Sequence, residues 1–182
     1  MTLVLRSTAI GAVRRARVTV GVSTMVPKAH TPFQWAAQSR RDEIARKLAV
    51  LQAVMRDRGV RFSWHDPEST IVEGVLSRGD RRVGAAIFGA WRRGARFDAW
   101  NSHLRFDAWQ AGMADAGLDI ETYGTAERAV GAPLPWDHVD VGVPRWHLAA
   151  QWNRARGLEP EARTRNRFLL LHGEEHPVAS AT

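Results

Sequence analysis

The chain reads as a helix-rich α/β fold, and three observations predict it. Residues Arg17–Ser23 (RVTVGVS) alternate with period two and carry three valines, the pattern of a strand. Residues Val60–Trp64 (VRFSW) read as a second strand, and a long amphipathic helix separates the two. From there to Arg156 most of the chain carries apolar residues at helical spacing. Six or seven helical segments accompany only two or three short strands. A βαβ crossover fold needs more strands than that to pair its edges and cover its faces. The chain is therefore expected to be the end of something larger.

The elements follow in order. Leu3, Leu5, Ile10 and Val13 suit the end of a helix over 3–15. After the first strand comes a loop, VPKAHTPFQW, which Pro27 and Pro32 keep out of helical geometry. Ser39 is placed to cap a helix with Asp42 and Glu43 in its first turns, where the helix dipole favours anions. Ile44, Leu48, Leu51 and Met55 make one apolar stripe, and Gly59 ends the helix. Asp66-Pro67-Glu68-Ser69 opens a short helix over 69–77 that stops at Gly79. Asp80 starts the next, with Val83, Ile87 and Trp91 on its buried face.

The tetrapeptide Phe-Asp-Ala-Trp then occurs twice, at 97–100 and 106–109. One duplication of four residues is not a solenoid period. The second copy opens a helix with Phe106, Trp109, Met113 and Ala116 buried. Residues 119–138 are loop-rich, Val139–Val143 reads as a short strand, and Pro144 suits the first turn of a helix through Arg156. From Leu158 onward the chain is polar and irregular apart from Phe168–Leu171.

Composition narrows the chemistry. With 182 residues, 45% hydrophobic and 25% charged, the chain has the balance of a single globular domain. It has no cysteine, which excludes disulfides, Cys-ligated zinc, a thiolate-held iron–sulfur cluster and a cysteine nucleophile. No apolar run reaches the ~18–20 residues of a membrane span. Arg14, Arg15 and Arg17 interrupt what would be a signal peptide's apolar stretch, so a cytoplasmic location is expected. The net charge of +7 is uneven, since residues 1–60 carry 11 basic and 3 acidic side chains while the rest is balanced. Such an excess marks a nucleic-acid or phosphate surface, or one side of an interface with an acidic partner.

Three clusters carry the candidate chemistry. They are Pro27–Trp35 after the first strand, Phe62–Glu68 after the second, and Leu134–Asp140 (LPWDHVD). Each sets a histidine near a tryptophan, with a carboxylate or lysine close by, in a loop that contains proline. The first two follow the C-terminal end of a strand, where parallel α/β folds place substrates. In the first, Lys28 offers a cation, His30 an acid or base, Gln34 an amide reader and Trp35 an apolar wall. The alternative is that His30 packs on Trp35 and Lys28 is merely solvated. His65 and Asp66, with Asp137 and His138, make the remaining candidates. In principle Glu68 and Asp140 would complete a His/carboxylate metal site, but no metal-ligand spacing such as H-E-x-x-H occurs and no metal is expected. Ser63 lacks a G-x-S-x-G elbow, and neither G-x-G-x-x-G nor a Walker sequence is present. No residue is assigned a catalytic role.

Of eight tryptophans, Trp91, Trp109 and Trp152 sit on helical apolar stripes and are expected in the core. Trp35, Trp64 and Trp136 lie beside histidines and are expected to line a pocket.

Taken in order, VTVGVSTMVPKAHTPFQW, RDRGVRFSWHDPE, VLSRGDRRVGAAIFGAWRRGARFDAW and LPWDHVDVGV resemble the C-terminal part of a family of cobalamin (B12)-binding-domain-containing radical SAM proteins. The resemblance spans about Arg17 to Trp152. It implies that residues 1–38 hold the last strand and active-site loop of a partial (β/α) radical SAM barrel, and that 39–157 are a mostly helical C-terminal extension. The loop at Lys28–Trp35 would lie at the barrel mouth, where S-adenosylmethionine and substrate meet. In the full-length protein the resemblance implies a [4Fe–4S] cluster held by a C-x3-C-x2-C motif, and cobalamin. Both would belong to an upstream barrel and cobalamin-type domain, the partner this chain then lacks.

Two departures stand out. Ala29 replaces a proline expected in the loop, and the family's short cysteine-rich ending is replaced by an irregular 158–182 tail, as after a reading-frame change near residue 158. Without a thiolate, the chain alone is expected to be inactive. The competing expectations are a stand-alone basic RNA-binding module and a His/Asp metal-dependent hydrolase.

Overall fold

The computed structural model describes residues 19–57 and 60–158. The helix expected at 3–15, the stop at Gly59 and the tail with Phe168–Leu171 lie outside the described residues. The elements are β1 (Thr19–Val22), α1 (Arg41–Asp57), β2 (Arg61–Trp64), α2 (Pro67–Arg78), α3 (Arg82–Arg92), α4 (Phe106–Asp115), α5 (Ile120–Tyr123) and α6 (Arg145–Ala155). The fold is a helix-rich α/β arrangement around a small parallel sheet.

The two strands pair directly, with Val20 opposite Phe62 and Val22 opposite Trp64. Parallel neighbours cannot be joined by a tight turn, and α1 is the crossover between them. Alternation sets the faces of β1: Val20 and Val22 are buried, whereas Thr19 and Gly21 are exposed. On β2 only Phe62 is partly covered. One face of the sheet therefore belongs to the core shared with α1, and no element among the described residues covers the other.

In α1, Asp42 and Glu43 in the first turn and Arg56 in the last complement the dipole. Ile44, Leu48 and Met55 are buried and Leu51 partly so, as their spacing predicts. Each such side chain contributes ~1.5–3 kcal/mol through the area it removes from water. In α2 the Asp66 carboxylate accepts from Ser69 N at 3.0 Å, and Pro67 occupies the first turn, where its missing N–H costs nothing. The cap draws the helix start to Pro67, two residues before the expected one.

Helices α3 and α4 meet glycine to glycine. A Cβ built on Gly89 would lie 3.0 Å from Gly112 Cα. The buried ridge of α3 is Val83, Ala86, Gly89 and Ala90, which corrects the expected stripe of Val83, Ile87 and Trp91. Ile87 and Trp91 are exposed because the backbones approach too closely for large side chains, so the small residues take the interface. On α4, Phe106, Trp109 and Met113 are buried and Ala116 packs against them, as expected.

A second core lies apart from the first. Trp35, Trp136 and Trp152 cluster with Ala36, Leu134, Leu148 and Ala149, so α6 packs on the loop that follows β1. The strand expected at Val139–Val143 is absent; these residues form a loop with all three valines exposed. No partner strand is presented to them among the described residues, and Gly142 adopts φ +72° with its N–H donated to Asp140 Oδ1 at 2.7 Å. That local turn outcompetes extension.

The α3–α4 contact is open to a direct test. A Cβ at position 112 would collide with the Ala86 carbonyl oxygen and would lie 2.7 Å from Ala90 N. Gly112→Ala is expected to destabilise the fold by ~1–3 kcal/mol despite alanine's better helix propensity, read as a lowered urea midpoint at unchanged slope.

Candidate functional site

Because β1 and β2 run the same way, the loops that follow them leave from one edge of the sheet. The loop after β1 is shaped by short-range bonds: Thr31 Oγ1 donates to Lys28 O at 2.8 Å, and Gln34 N to Thr31 O at 3.1 Å. His30 sits in the left-handed region, φ +57°, which turns the chain so that its N–H reaches Gln34 Oε1 at 3.1 Å. The same oxygen accepts from Trp136 Nε1 at 2.7 Å, and Gln34 is buried. Trp35 is wholly buried, and its carbonyl accepts from Arg128 N at 2.9 Å.

These contacts change the roles expected of the candidate residues. Gln34 is a bracket between two distant loops, with its acceptor occupied twice. Trp35 and Trp136 are core side chains, not the walls of a pocket. Trp64 is exposed and stacks on Phe62. Asp137 Oδ2 accepts from Leu134 N and from Arg145 Nη1, each at 2.7 Å. The second guanidinium nitrogen of Arg145 bonds Val130 O at 2.7 Å, which locks the 130–137 loop onto α6. Lys28 is tied to Glu73 and, at 2.8 Å, to Ser77 Oγ on α2. Asp66 is the α2 cap described above, and His65 is exposed at the end of β2.

His138 is exposed on an open groove with Gly79, Asp80, Arg81, Arg82 and Pro135. The eight candidates thus fall in separate places, and the first and third clusters are brought together by the Gln34 bridge and the shared indole core. Among the described residues no three of His, Asp or Glu stand where they could hold a metal ion. The ligand set needed by a His/Asp hydrolase is not assembled there.

Where the basic first third is described, much of its charge is answered within the chain. Arg41 pairs with Glu68 at 3.0 Å and Glu121 at 3.1 Å, Lys28 with Glu73, and Lys47 with Glu43. For these three cations the acidic partners come from α2, α5 and α1 itself.

Two buried polar residues gave no sequence signal. Arg78 is 1% exposed and donates to Gly124 O at 2.9 Å and Ala126 O at 2.8 Å, while its own carbonyl accepts from Arg128 at 2.7 Å. Burial, and then the charge of Arg128, push its pKa down to about 10, which leaves it protonated at neutral pH. Gln38 donates its amide to Thr70 O at 2.9 Å, and Gly74 is the residue that leaves room for it. A lone arginine in a helix's last turn ordinarily reads as a solvated partner of the dipole. Nothing local distinguishes Arg78 from that.

A partly open cavity beside the β1 end is lined by Thr24, Met25, Ala37, Ser39, Ile44, Lys47 and Leu48, with a volume of about 150 Å³. That is below the ~300–1,000 Å³ of ordinary small-molecule sites. Ser39, expected as a helix cap, accepts from Lys47 Nζ at 3.1 Å in its wall.

No family model, curated protein or solved structure matches the chain.

Two outcomes are expected from this geometry. Gln34→Leu strands the Trp136 indole N–H and the His30 N–H, and should cost ~2–4 kcal/mol by chemical denaturation, at ~1–3 kcal/mol per orphaned group. Asp80 accepts from Arg82 N at 2.9 Å and from its guanidinium at 2.7 Å, and the Arg82 bonds hold its carboxyl well below the usual range. A depressed carboxylate contributes stability above its ordinary pKa of 3.8 and loses it as pH falls toward the folded value. Melting followed from pH 5 to pH 2 should therefore show a shallower acid decline in Asp80→Asn than in the parent.

Proposed function

We propose that this chain forms one wall of the active-site mouth of a radical SAM enzyme of the cobalamin-binding type, beside a barrel that carries the cluster. The observation that carries the reading is the parallel β1–β2 pair with its open face. Parallel sheets are ordinarily covered on both sides. Here Thr19, Gly21, Arg61 and Ser63, small or hydrophilic, lie on a face that no described element covers. A barrel has just such an inner face, filled only when further strands close around it. The loop leaving the C-terminal end of β1 is braced by the indole core, as a loop that must present Lys28, His30 and Phe33 at a fixed angle would be.

The cofactors divide between the two parts. A [4Fe–4S] cluster needs thiolate ligands, and the chain has no cysteine, so the cluster does not fit this chain. The cavity at the β1 end is too small to enclose S-adenosylmethionine or cobalamin. Cleavage of S-adenosylmethionine would belong to the barrel, and this chain's part is to shape the mouth and exclude water from it. The exposed tips available for that are Lys28, partly held by Glu73, the half-buried His30, and Phe33, whose ring stands edge-on to Trp152 at 5.6 Å. Among the described residues no helix is long and apolar enough to cross a membrane. The cytoplasmic setting is part of the same proposal.

The test is co-expression of the tagged chain with a barrel polypeptide of that family bearing C-x3-C-x2-C. The complex, reconstituted anaerobically with iron and sulfide, should hold a cluster and cleave S-adenosylmethionine faster than the barrel alone. Ser63→Arg on the bare face should abolish co-purification, while the chain's own stability moves by no more than ~0.5 kcal/mol. Failure of the two polypeptides to associate sinks the reading, as does a Ser63→Arg chain that associates as well as the parent.

A further inference from the structure

Outside the candidate site, the largest set of exposed rings lies at the C-terminal half of α3 and the turn behind it. Phe88 is 57% exposed, Trp91 50%, Phe97 75% and Trp100 66%. Monomer surfaces carry single exposed apolar residues without consequence, but exposed rings grouped this closely along the chain mark a candidate binding surface. The glycine-to-glycine seam with α4 turns Phe88 and Trp91 outward, and Phe97 and Trp100 follow in the turn behind it.

The rings are interleaved with arginine. Phe88 and Trp91 stack on each other with centroids 5.7 Å apart and planes 23° apart. Arg92 lies over Phe88 at 5.9 Å, and Arg96 over Trp91 at 4.9 Å. Arg96 also donates to Trp91 O at 2.9 Å, which fixes its guanidinium against the helix end. The neighbouring cations are neutralised, Arg93 by Asp115 and Arg105 by Asp107, both within 2.8 Å. Among the described residues no carboxylate pairs with Arg92 or Arg96. These two charges are thus pre-positioned, uncompensated and set beside flat apolar faces.

We propose that this surface is a stacking platform for single-stranded nucleic acid. Phe97 and Trp100 offer ring faces to bases, and the Arg92 and Arg96 guanidiniums, held by the Phe88–Trp91 stack, take the phosphates between them. The complementarity decides the occupant: a strand supplies a π-face and a negative charge with every nucleotide, and every base has such a face. A second protein would have to bring carboxylates to the same two arginines, and no acidic apolar segment of this chain supplies them among the described residues. The lone acid in the stretch 88–105 is Asp98, which accepts from Arg105 N at 3.3 Å. The inference stands on this surface alone and does not depend on the barrel reading.

The experiment is fluorescence anisotropy of a labelled single-stranded oligouridylate, titrated with the full chain at 50 mM and 200 mM salt. Binding should weaken with salt at a log–log slope near −1.4, at ~0.7 per contacted phosphate. Arg92→Gln or Arg96→Gln should each remove about 0.7 of that slope. Trp100→Ala and Phe97→Ala should each weaken binding about tenfold, and Trp100→Phe should restore most of the loss. Circular dichroism melting confirms that these exposed substitutions leave the fold intact. The proposal is overturned by absence of binding at 50 mM salt, or by binding that is indifferent to both ring substitutions. It is equally overturned if Trp100→Ala abolishes a concentration-dependent self-association seen by sedimentation and leaves oligouridylate binding unchanged, since the surface would then be a protein interface.

Discussion

The hydrogen bond from the Trp136 indole to the Gln34 side chain is the interaction on which the arrangement of the site depends. It joins residues 102 positions apart, and both partners are buried. The same Gln34 oxygen receives the N–H of His30, so the left-handed turn at His30 and the docking of the 130–137 loop are satisfied by one acceptor. Around it Trp35, Trp136 and Trp152 exclude water, which raises the worth of the bond and the cost of losing it. The loop after β1 is fixed from behind by α6 as much as by the strand that precedes it.

Much of the fold was legible in the sequence. The α1 stripe, the Asp66 cap, the α4 stripe and the Pro144 start of α6 are all local patterns, written in spacings of three or four residues and in capping chemistry. What failed was decided across the chain. Ile87 and Trp91 satisfy helical periodicity as well as Ala86 and Ala90 do, and only the glycine on α4 reveals which side can approach. Val139–Val143 alternates well enough for a strand, yet a strand is a property of a pair. The two copies of Phe-Asp-Ala-Trp make the point most sharply. Phe97 stands in a turn at φ +54° and is 75% exposed, whereas Phe106 opens a helix and is 5% exposed. Identical tetrapeptides have opposite fates because α4 gives the second a core to enter.

The candidate site was legible as a location and not as a set of roles. Proline, tryptophan and histidine together single out the loops after β1 and β2, which leave from one edge of the sheet. Gln34 and Asp137 look like ligand readers in sequence because an unpaired amide and carboxylate are what readers need. Trp136 reaches Gln34 from 102 residues away, while His30, Leu134 and Arg145 are near neighbours whose bonds only the folded loop geometry reveals. Arg78 shows the converse. It ties the end of α2 to the 124–128 segment from a position where an arginine ordinarily faces solvent.

The long reach of the Gln34–Trp136 bridge has a kinetic consequence. Helices α3 and α4 are separated by a short segment, so their seam closes early at small loop entropy, while the indole core must wait for a loop roughly four times longer. Two doublings of loop length add only about 1 kcal/mol to that closure, yet contacts of this range form late in folding. Elements that close last and are stapled by few groups are also the first to open in sub-global excursions. Opening of the indole core, which parts the Gln34–Trp136 bond and the Arg128 N–Trp35 O bond together, is therefore expected to precede any opening of the α3–α4 seam.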